Sequence, residues 1–513
     1  MRGAENKTDN SRSADIAAQA NARANNAPRE LSPLAKMIAS EPAPPAMSAV
    51  VLGGSTRFAE FLLLSLIGLA IYGYYVYPGE GFLWRYVIAT FGASAAAIVA
   101  FQIVDVYDTT ALRRVISSFA RLTLAWTAIF LIAFGLQFFF RLEGQFSRVW
   151  TASWYFFGLA ALFAFRMFVA AKVRQWTRDG RLIRRTVIVG GAAPGEALIE
   201  ALQAQKDSDL DIRGVFDDRS DERSAPMIAG KPKLGTVDDL VEFARRTRID
   251  LLLVSLPISA EARVLQMLRK LWVLPVDIRL AAHTSTLRFR PRAYSYIGNV
   301  PVLDVYDRPI TDWNFVLKAL FDRVVGALML IALSPVMLLT ALAVKLDSKG
   351  PVFFRQKRYG FNNELIEVFK FRSMYTEMTD ATAAKLVTKD DPRVTRVGRF
   401  IRKTSLDELP QLINVVFKGN LSLVGPRPHA VHAKAQNQLY DEVVDGYFAR
   451  HRVKPGITGW AQVNGWRGET DTQEKIQRRV EHDLYYIENW SVFFDVYIIA
   501  KTPISLLKSE NAY

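Results

Sequence analysis

The chain has no cysteine in its 513 residues. That excludes disulfides, thiolate-bound zinc, iron–sulfur clusters and a thiol nucleophile. Histidine is nearly as scarce, five scattered residues, which argues against a histidine-based metal centre. Acidic residues are in deficit, 50 Asp and Glu against 65 Lys and Arg, for a formal net charge of +15. The resulting pI near 9.7 suits an anionic partner: nucleic acid, lipid headgroups or a phosphorylated substrate. Charge is also missing locally. Although an ordinary 50% of residues are hydrophobic, long charge-free runs alternate with densely charged segments. Such a split predicts a membrane portion joined to soluble domains. The length exceeds one core and suggests roughly three or four folding units.

Residues 1–50 are rich in Ala, Asn, Ser and Pro; this composition predicts disorder and carries no signal-peptide pattern. Four apolar stretches follow, Phe58–Tyr77, Tyr86–Val104, Phe119–Phe139 and Trp150–Ala171. Each approaches the ~20 residues a helix needs to cross a bilayer. They define a four-helix transmembrane domain over residues 51–175. Tyr74, Tyr75, Tyr77, Trp84 and Trp150 at their ends resemble interfacial belts. Arg113, Arg114 and Arg121 follow the second stretch, and Lys172, Arg174, Arg178, Arg181, Arg184 and Arg185 follow the fourth. The positive-inside rule then places the N-terminus, the second loop and everything after Arg174 in the cytoplasm; Arg141 and Arg148 in the third loop fit less cleanly.

From residue 184 to 300 strand and helix patterns alternate: strands at Thr186–Val189, Ile212–Phe216 and Asp250–Leu256, helices at Glu196–Gln205, Val237–Arg246 and Ala260–Leu271. This predicts a Rossmann-like parallel α/β domain. Gly190, Gly191 and Gly195, followed by Asp217 and Asp218, imitate a dinucleotide fingerprint. The spacing is G-G-x-x-x-G rather than G-x-G-x-x-G, and Pro194 is foreign to such a loop, so a structural strand–turn–helix is expected.

A further apolar run, Val324–Val344, has Ser334-Pro335 at its middle, where proline removes a backbone donor and bends a helix. Lys318 and Arg323 precede it; Lys345, Lys349 and Arg355 follow. Two basic flanks favour a re-entrant helix over 314–346, broken at Ser334 and Pro335, over a crossing.

The remainder is basic and aromatic. Its motifs run Gly350-Pro-Val-Phe-Phe-Arg-Gln-Lys-Arg-Tyr-Gly360, Phe369-Lys-Phe-Arg-Ser-Met374, Asp391-Pro-Arg-Val-Thr395 and Arg402-Lys-Thr-Ser-Leu-Asp-Glu-Leu-Pro-Gln411, then Ser422-Leu-Val-Gly-Pro-Arg-Pro428, Lys454-Pro-Gly-Ile-Thr-Gly-Trp-Ala-Gln462 and Asp483-Leu-Tyr-Tyr-Ile-Glu-Asn-Trp-Ser491. Singly these admit plain readings: Asp407-Glu408 as the acidic first turn of a helix capped by Thr404 or Ser405, Arg427 as a rigid surface turn. The alternation of Val394, Val397, Phe400 and Ile401 with Arg396, Arg399, Arg402 and Lys403 reads as an amphipathic helix suited to a core or a headgroup layer.

Together, over about residues 310–505, they resemble the bacterial polyprenyl-phosphate hexose-1-phosphate transferases, the monotopic phosphoglycosyl transferases. Phe361–Phe369 and Thr470–Ile476 are most similar to the undecaprenyl-phosphate glucose phosphotransferase branch. The resemblance implies a catalytic domain at 310–513, mainly α, that moves a hexose 1-phosphate from a UDP-sugar to undecaprenyl phosphate and releases UMP. In that family Asp407 matches the nucleophile and Glu408 a ligand of Mg²⁺, whose oxygen-loving charge suits a pyrophosphate. Arg402 matches the contact to the lipid phosphate and Arg427 the donor-nucleotide contact. Lys370 and Arg372 match a basic pair on the pyrophosphate. Asp391, Arg393, Arg467 and Asp483 lie in family-like motifs without a role. The implied setting is the cytoplasmic face of a bacterial inner membrane, with the bilayer as partner and homodimerisation compatible.

Two other function classes compete with this reading. A membrane-bound NAD-dependent nucleotide-sugar dehydratase requires a better glycine fingerprint and a Tyr-x-x-x-Lys pair in the same domain, whereas Tyr497 and Lys501 lie far beyond it. A non-catalytic scaffold of polysaccharide assembly is at odds with intact Asp407-Glu408 and Pro426-Arg427-Pro428. Nucleic acid is disfavoured because the basic residues gather around membrane-adjacent motifs rather than a recognition helix.

Overall fold

The computed structural model describes residues 30–508, apart from 114, 142–143, 206–208, 220–224, 256–260, 282–294, 298–299, 377–390, 429–433, 436–437, 440–446 and 467–471. Arg467 therefore lies outside the described residues. The chain divides into two compact units, Pro42–Arg184 and a second made of Met1–Glu41 with Arg185–Tyr513.

The first unit is helical. After a short helix α1 (Pro33–Ser40), which belongs to the other unit, come α2 (Ala49–Ile71), α3 (Trp84–Ile103), α4 (Val115–Phe139) and α5 (Arg148–Arg178). Each expected apolar stretch falls in one of them. With the turns that prolong α2 to Glu80, they account for four of five helices, among the described residues, long and apolar enough to cross a membrane. Their packing is aromatic: Trp150 and Trp154 on α5 donate to the Gly68 and Leu64 carbonyls of α2 at 2.9 and 3.0 Å, and Trp126 is fully buried beside them. Leu66, Phe91, Leu131, Phe156 and Phe168 face outward, an apolar exterior suited to hydrocarbon. One charged pair is sealed inside: the Arg166 guanidinium on α5 reaches the Glu60 carboxylate on α2, Nη2–Oε2 3.1 Å, and the Tyr107 hydroxyl donates to the same carboxylate at 2.7 Å.

In the second unit, strands β1 (Arg184–Val189), β2 (Leu210–Phe216), β3 (Met227–Ile228), β4 (Lys231–Gly235), β5 (Leu251–Val254), β6 (Asp277–Ala281), β7 (Ser295–Ile297) and β8 (Val300–Tyr306) form one sheet in the order β3-β4-β2-β1-β5-β6-β8-β7. The pairs β1–β5, β5–β6 and β2–β4 are parallel. The expected helices appear as α6 (Ala193–Gln203), α7 (Val237–Arg246) and α8 (Glu261–Leu271). Two boundaries need correction. The sheet extends past residue 300, because β8 pairs antiparallel with β6 as far as Tyr306. Part of the segment expected to be disordered is folded: Leu31, Ala35 and Ile38 make one apolar stripe that joins the sheet's core, and the α1 cap Ser32 donates to the Leu234 carbonyl at 2.9 Å. The surrounding polar composition had hidden so short a stripe.

The glycine loop joins β1 to α6. A Cβ on Gly195 would lie 2.1 Å from the Gly190 carbonyl oxygen, so only glycine fits this helix-to-strand approach. The acid at the end of β2, Asp217, accepts from Gly191 N at 3.0 Å and pairs with Arg219.

The rest of the unit is the segment resembling a transferase. Helix α9 (Asp312–Asp347) contains Pro335, and the break expected at Ser334 and Pro335 does not interrupt it: the chain stays helical through both residues, with Ser334 Oγ donating to the Ile331 carbonyl at 2.8 Å. An antiparallel hairpin follows, β9 (Phe353–Tyr359) and β10 (Leu365–Phe371), then α10 (Arg396–Lys403), the parallel pair β11 (Ser422–Val424) and β14 (Gly456–Thr458) flanking a small hairpin β12 (Lys434–Ala435) and β13 (Gln438–Leu439), and helices α11 (Gln473–Glu488) and α12 (Val492–Lys508). Both ends of α9 are fixed to this fold. Near its start, Lys318 Nζ donates to Asp495 Oδ2 at 2.6 Å and to the Val424 carbonyl at 3.0 Å, and Asp322 accepts from Ser422 Oγ at 3.0 Å. At its end, Asp347 accepts from Val397 N at 3.1 Å. Leu328, Ile331, Leu338, Leu339 and Leu342 between them are exposed.

Candidate active site

Asp407 and Glu408 sit on one turn of 3₁₀ helix, Leu406–Glu408, immediately after Ser405, which adopts a left-handed conformation at φ 59°. That residue turns the chain away from α10, whose Thr395 cap accepts from Gly398 N at 2.9 Å. The turn faces the end of β10. Lys370 Nζ donates to Glu408 Oε1 at 2.8 Å, and Arg427 Nη2 reaches the same oxygen at 2.8 Å. Three of the expected residues thus meet at one carboxylate. Asp407, half-buried, takes no hydrogen bond on its carboxylate among the described residues. Desolvation raises its pKa above the ordinary carboxylate value and the Glu408 charge adds to the rise, while Lys370, Arg402 and Arg427 pull it back. Arg402 therefore acts on Asp407 through its field, from the last turn of α10.

Arg372 departs from expectation. Its guanidinium is buried and donates to the Ser348 and Lys349 carbonyls at 2.7 and 3.0 Å and to Ser348 Oγ at 2.9 Å. These groups follow the end of α9, where helix carbonyls lack partners. The residue fastens α9 to β10 and is not at the carboxylate pair. Asp391 and Arg393 pair with each other at 2.6 Å, shaping the turn before α10.

Two arginines that the sequence did not single out belong to the site. Arg358 on β9 donates to the Pro428 carbonyl at 3.2 Å and lines a small polar cleft with Lys370, Glu408 and Arg427. Arg450, fully buried, donates through Nη2 to Asp483 Oδ2 at 2.6 Å and to the Arg427 carbonyl at 2.8 Å. This gives Asp483 a position: it holds the arginine that holds the Pro-Arg-Pro loop. The loop is also locked from its other side, since Gly425 N donates to the Thr458 carbonyl and Gly456 N to the Pro426 carbonyl. A Cβ on Gly456 would fall 2.1 Å from Gly425 N, which accounts for glycine in the Lys454–Gly459 motif. Trp460 packs on Phe494 and Trp490 donates to Asp495 at 3.2 Å, core roles both. Tyr497 and Lys501 lie on α12, where Lys501 donates to Asn464 Oδ1 and covers the Trp460 ring.

Beside the polar cleft lies a second space, about 400 Å³, almost wholly apolar, with Glu408 again on its wall. The chemistry of the donor set at the carboxylate pair is that of hard oxygen ligands. Among the described residues there is no cluster of three or more metal-binding side chains, and Mg²⁺ typically takes one or two carboxylates together with substrate phosphates rather than a complete protein cage.

Comparison with known proteins bears on the same segment. The bacterial sugar transferase family matches residues 313–509, and a CoA-binding domain family matches residues 102–282. The chain is 37% identical over 439 residues to the UDP-glucose:undecaprenyl-phosphate glucose-1-phosphate transferase of Escherichia coli, covering 85% of this chain and 91% of that protein. It is 40% identical over 361 residues to the protein of the same name from Klebsiella pneumoniae, covering 70% and 76%. It is also 40% identical over 361 residues to the undecaprenyl-phosphate glucose phosphotransferase of Komagataeibacter xylinus, covering 70% and 66%. The 313–509 match takes in every residue of the carboxylate site, from Arg358 to Asp483. With such identity across nine-tenths of a relative, this chain belongs to the bacterial sugar transferase family.

Proposed function

We propose that the chain transfers glucose 1-phosphate from UDP-glucose to undecaprenyl phosphate through a phospho-aspartate on Asp407, as the initiating step of exopolysaccharide or capsule synthesis. The substrates rest on the named activities of its relatives. The observation that carries the mechanism is the division of labour at the carboxylate pair: Glu408 binds Lys370 and Arg427, while the Asp407 carboxylate is left without a hydrogen bond among the described residues. Asp407 Oδ attacks the sugar-bearing phosphorus, the bond to the bridging oxygen breaks, and UMP leaves with its electron pair. A phosphate oxygen of the lipid then attacks the same phosphorus, and the aspartate carboxylate departs as the leaving group. Lys370, Arg358 and Arg427 offset the charge of the pyrophosphate in the cleft, and Lys370, Arg402 and Arg427 together oppose the rise that burial imposes on the Asp407 pKa. Glu408 would hold Mg²⁺, which would supply further charge neutralisation at the donor phosphates.

In the same reading α2 to α5 span the membrane, α9 enters and leaves on the cytoplasmic side, and the catalytic domain lies on that face. Support for re-entry comes from the tethering of α9. One domain grips both its ends, through Lys318 and Asp322 at one and Asp347 and Arg372 at the other. A single soluble domain cannot hold both ends of a helix that crosses the bilayer.

The test is incubation of the purified protein with UDP-glucose alone. Wild type is expected to release one equivalent of UMP and retain sugar phosphate covalently, and Asp407→Asn neither. Intact transfer to lipid without any covalent adduct rules out the two-step route.

A further inference from the structure

Two stretches of chain that shape the polar cleft also reach the domain of the parallel sheet. One is the hairpin with Arg358 on β9 and Lys370 on β10. Its tip, Phe361–Asn363, turns through left-handed residues, Asn362 at φ 52° and Asn363 at φ 60°. Asn362 Nδ2 donates to the Ala244 carbonyl at 3.0 Å. Ala244 lies in the last turn of α7, where carbonyls lack partners within the helix, so a side chain of the transferase segment caps a helix of the sheet domain. The other stretch is the 3₁₀ turn Tyr447–Arg452, which carries Arg450, the residue that holds the Arg427 carbonyl. The Arg245 guanidinium, next along α7, lies 5.1 Å from the centroid of the Phe448 ring. Arg452 Nη2 donates to the Asp307 carbonyl, just past β8, at 2.7 Å. We infer that Asn362 and Arg245 are positioning residues for the donor: the end of α7 holds the hairpin and the 3₁₀ turn in place, and with them Arg358 and Arg427. The inference rests on the cleft being the donor site and adds what keeps its arginines where they are.

Three features support that role. Consecutive residues of α7, Ala244 and Arg245, take one stretch each, so the spacing between the stretches is set across a single planar peptide. The stretches also meet each other at this joint. The buried His451 ring has its centroid 6.0 Å from that of Tyr359 at the end of β9, and 5.8 and 6.1 Å from those of Tyr447 and Phe448. Neither of its nitrogens has a hydrogen bond among the described residues, so the ring serves as packing. Burial, then the charges of Arg450 and Arg245, hold it neutral, well below the ordinary histidine range. A cation on α7 and the arginine behind the Pro-Arg-Pro loop thus act on one side chain. Finally, the joint bears on one substrate: Asp407 and Arg402 belong to other stretches, the 3₁₀ turn Leu406–Glu408 and α10. Slack at α7 therefore shifts the donor's arginines relative to the carboxylate pair, and a misplacement of about 1 Å in such groups is costly.

The experiment releases each hold separately in the full-length protein. Asn362→Gly keeps the left-handed backbone and removes the amide; Arg245→Ala removes the cation over Phe448. Ile199→Val is the comparison: Ile199 is buried on α6, in the core on the opposite face of the sheet from Leu240 and Phe243 of α7, so its trimming weakens the same domain away from the joint. Melting curves verify the fold of each variant, and steady-state transfer is measured against UDP-glucose and against undecaprenyl phosphate in detergent micelles. In both joint variants the KM for UDP-glucose is expected to rise by roughly threefold or more, the scale on which residues remote from a ligand tune its binding. The acceptor KM and the kcat at saturating donor are expected to hold, and Ile199→Val to keep the wild-type donor KM. A donor KM equal to wild type in both folded joint variants overturns the assignment and leaves the proposed reaction standing. An equal rise in Ile199→Val, or a matching rise in the acceptor KM, makes the effect a general loosening and also overturns it. Wild-type protein that releases no UMP from UDP-glucose removes the reading beneath as well.

Discussion

Replacing Arg450 by methionine offers a demanding test of how the site is held. The side chain is fully buried and its partner Asp483 nearly so. Removing one member of a buried pair leaves the other charge uncompensated, at a cost of about 3–5 kcal/mol. For a domain of this size that corresponds to a fall of roughly 10 °C or more in melting temperature. The loss should depend on pH with a defined sign. Burial already holds the Asp483 carboxyl above the ordinary carboxylate range, with Arg450 and Arg479 opposing it. Without Arg450 its native pKa climbs further, while the unfolded value stays ordinary. The stability deficit therefore widens as pH rises from the raised native value of the wild type to the still higher one of the variant, and narrows in acid, where the carboxyl is protonated in every state. Function should change in a particular way too. Arg450 Nη2 fixes the Arg427 carbonyl, so the donor KM is expected to rise while the acceptor KM holds. Arg450→Lys, which keeps the charge and loses the planar fork, should recover much of the stability and less of the donor affinity. Melting curves from pH 4 to 8 and two-substrate kinetics report both effects. An Arg450→Met protein as stable as wild type at pH 7, with unaltered donor kinetics, refutes the reasoning.

In the proposed mechanism ionised Asp407 is the attacking species, and its pKa is raised, so single-turnover UMP release should increase with pH through a midpoint above the ordinary carboxylate range; Lys370→Met, which removes a charge that lowers that pKa, should move the midpoint upward. Arg372→Ala should destabilise the domain by about 1–3 kcal/mol through unpaired α9 carbonyls with little change in donor KM, whereas a large KM effect restores Arg372 to the pyrophosphate. In this cysteine-free chain, cysteines at Asn314 and Lys349, both exposed, should react with an impermeant maleimide only from the cytoplasmic side; labelling of position 349 from outside makes α9 a crossing.

Long-period signals were readable in the sequence and local geometry was not. The four apolar stretches and the strand–helix alternation up to α8 announced themselves because length and periodicity survive averaging over many residues. Position within a short motif did not. Lys370 and Arg372 are two residues apart, which on a strand means one face; but β10 ends at Phe371, and the chain turns Arg372 toward α9. Arg358 and Arg450 were lost among other cations, because a basic residue in a basic segment reads as solvated until a distant carboxylate is known. Asp483, which anchors Arg450, lies on another element, α11. The carboxylate pair itself was found through motif order alone. Its local sequence is equally that of a capped helix start, and only the convergence of Lys370 and Arg427 on Glu408 separates the two.

The sealed contact between Glu60 and Arg166 constrains how the first unit is made. The two residues are 106 positions apart, so α2 is synthesised and leaves the ribosome well before α5 exists. During that interval Glu60 is a carboxyl in an apolar helix without its guanidinium, and a charged residue inside hydrocarbon costs at least about 2.5–3.5 kcal/mol even on the most lenient scale. In the topology proposed above, insertion of α2 is therefore provisional until Arg166 of α5 arrives. A chain that stops anywhere before Arg166 leaves the Glu60 carboxylate without its guanidinium.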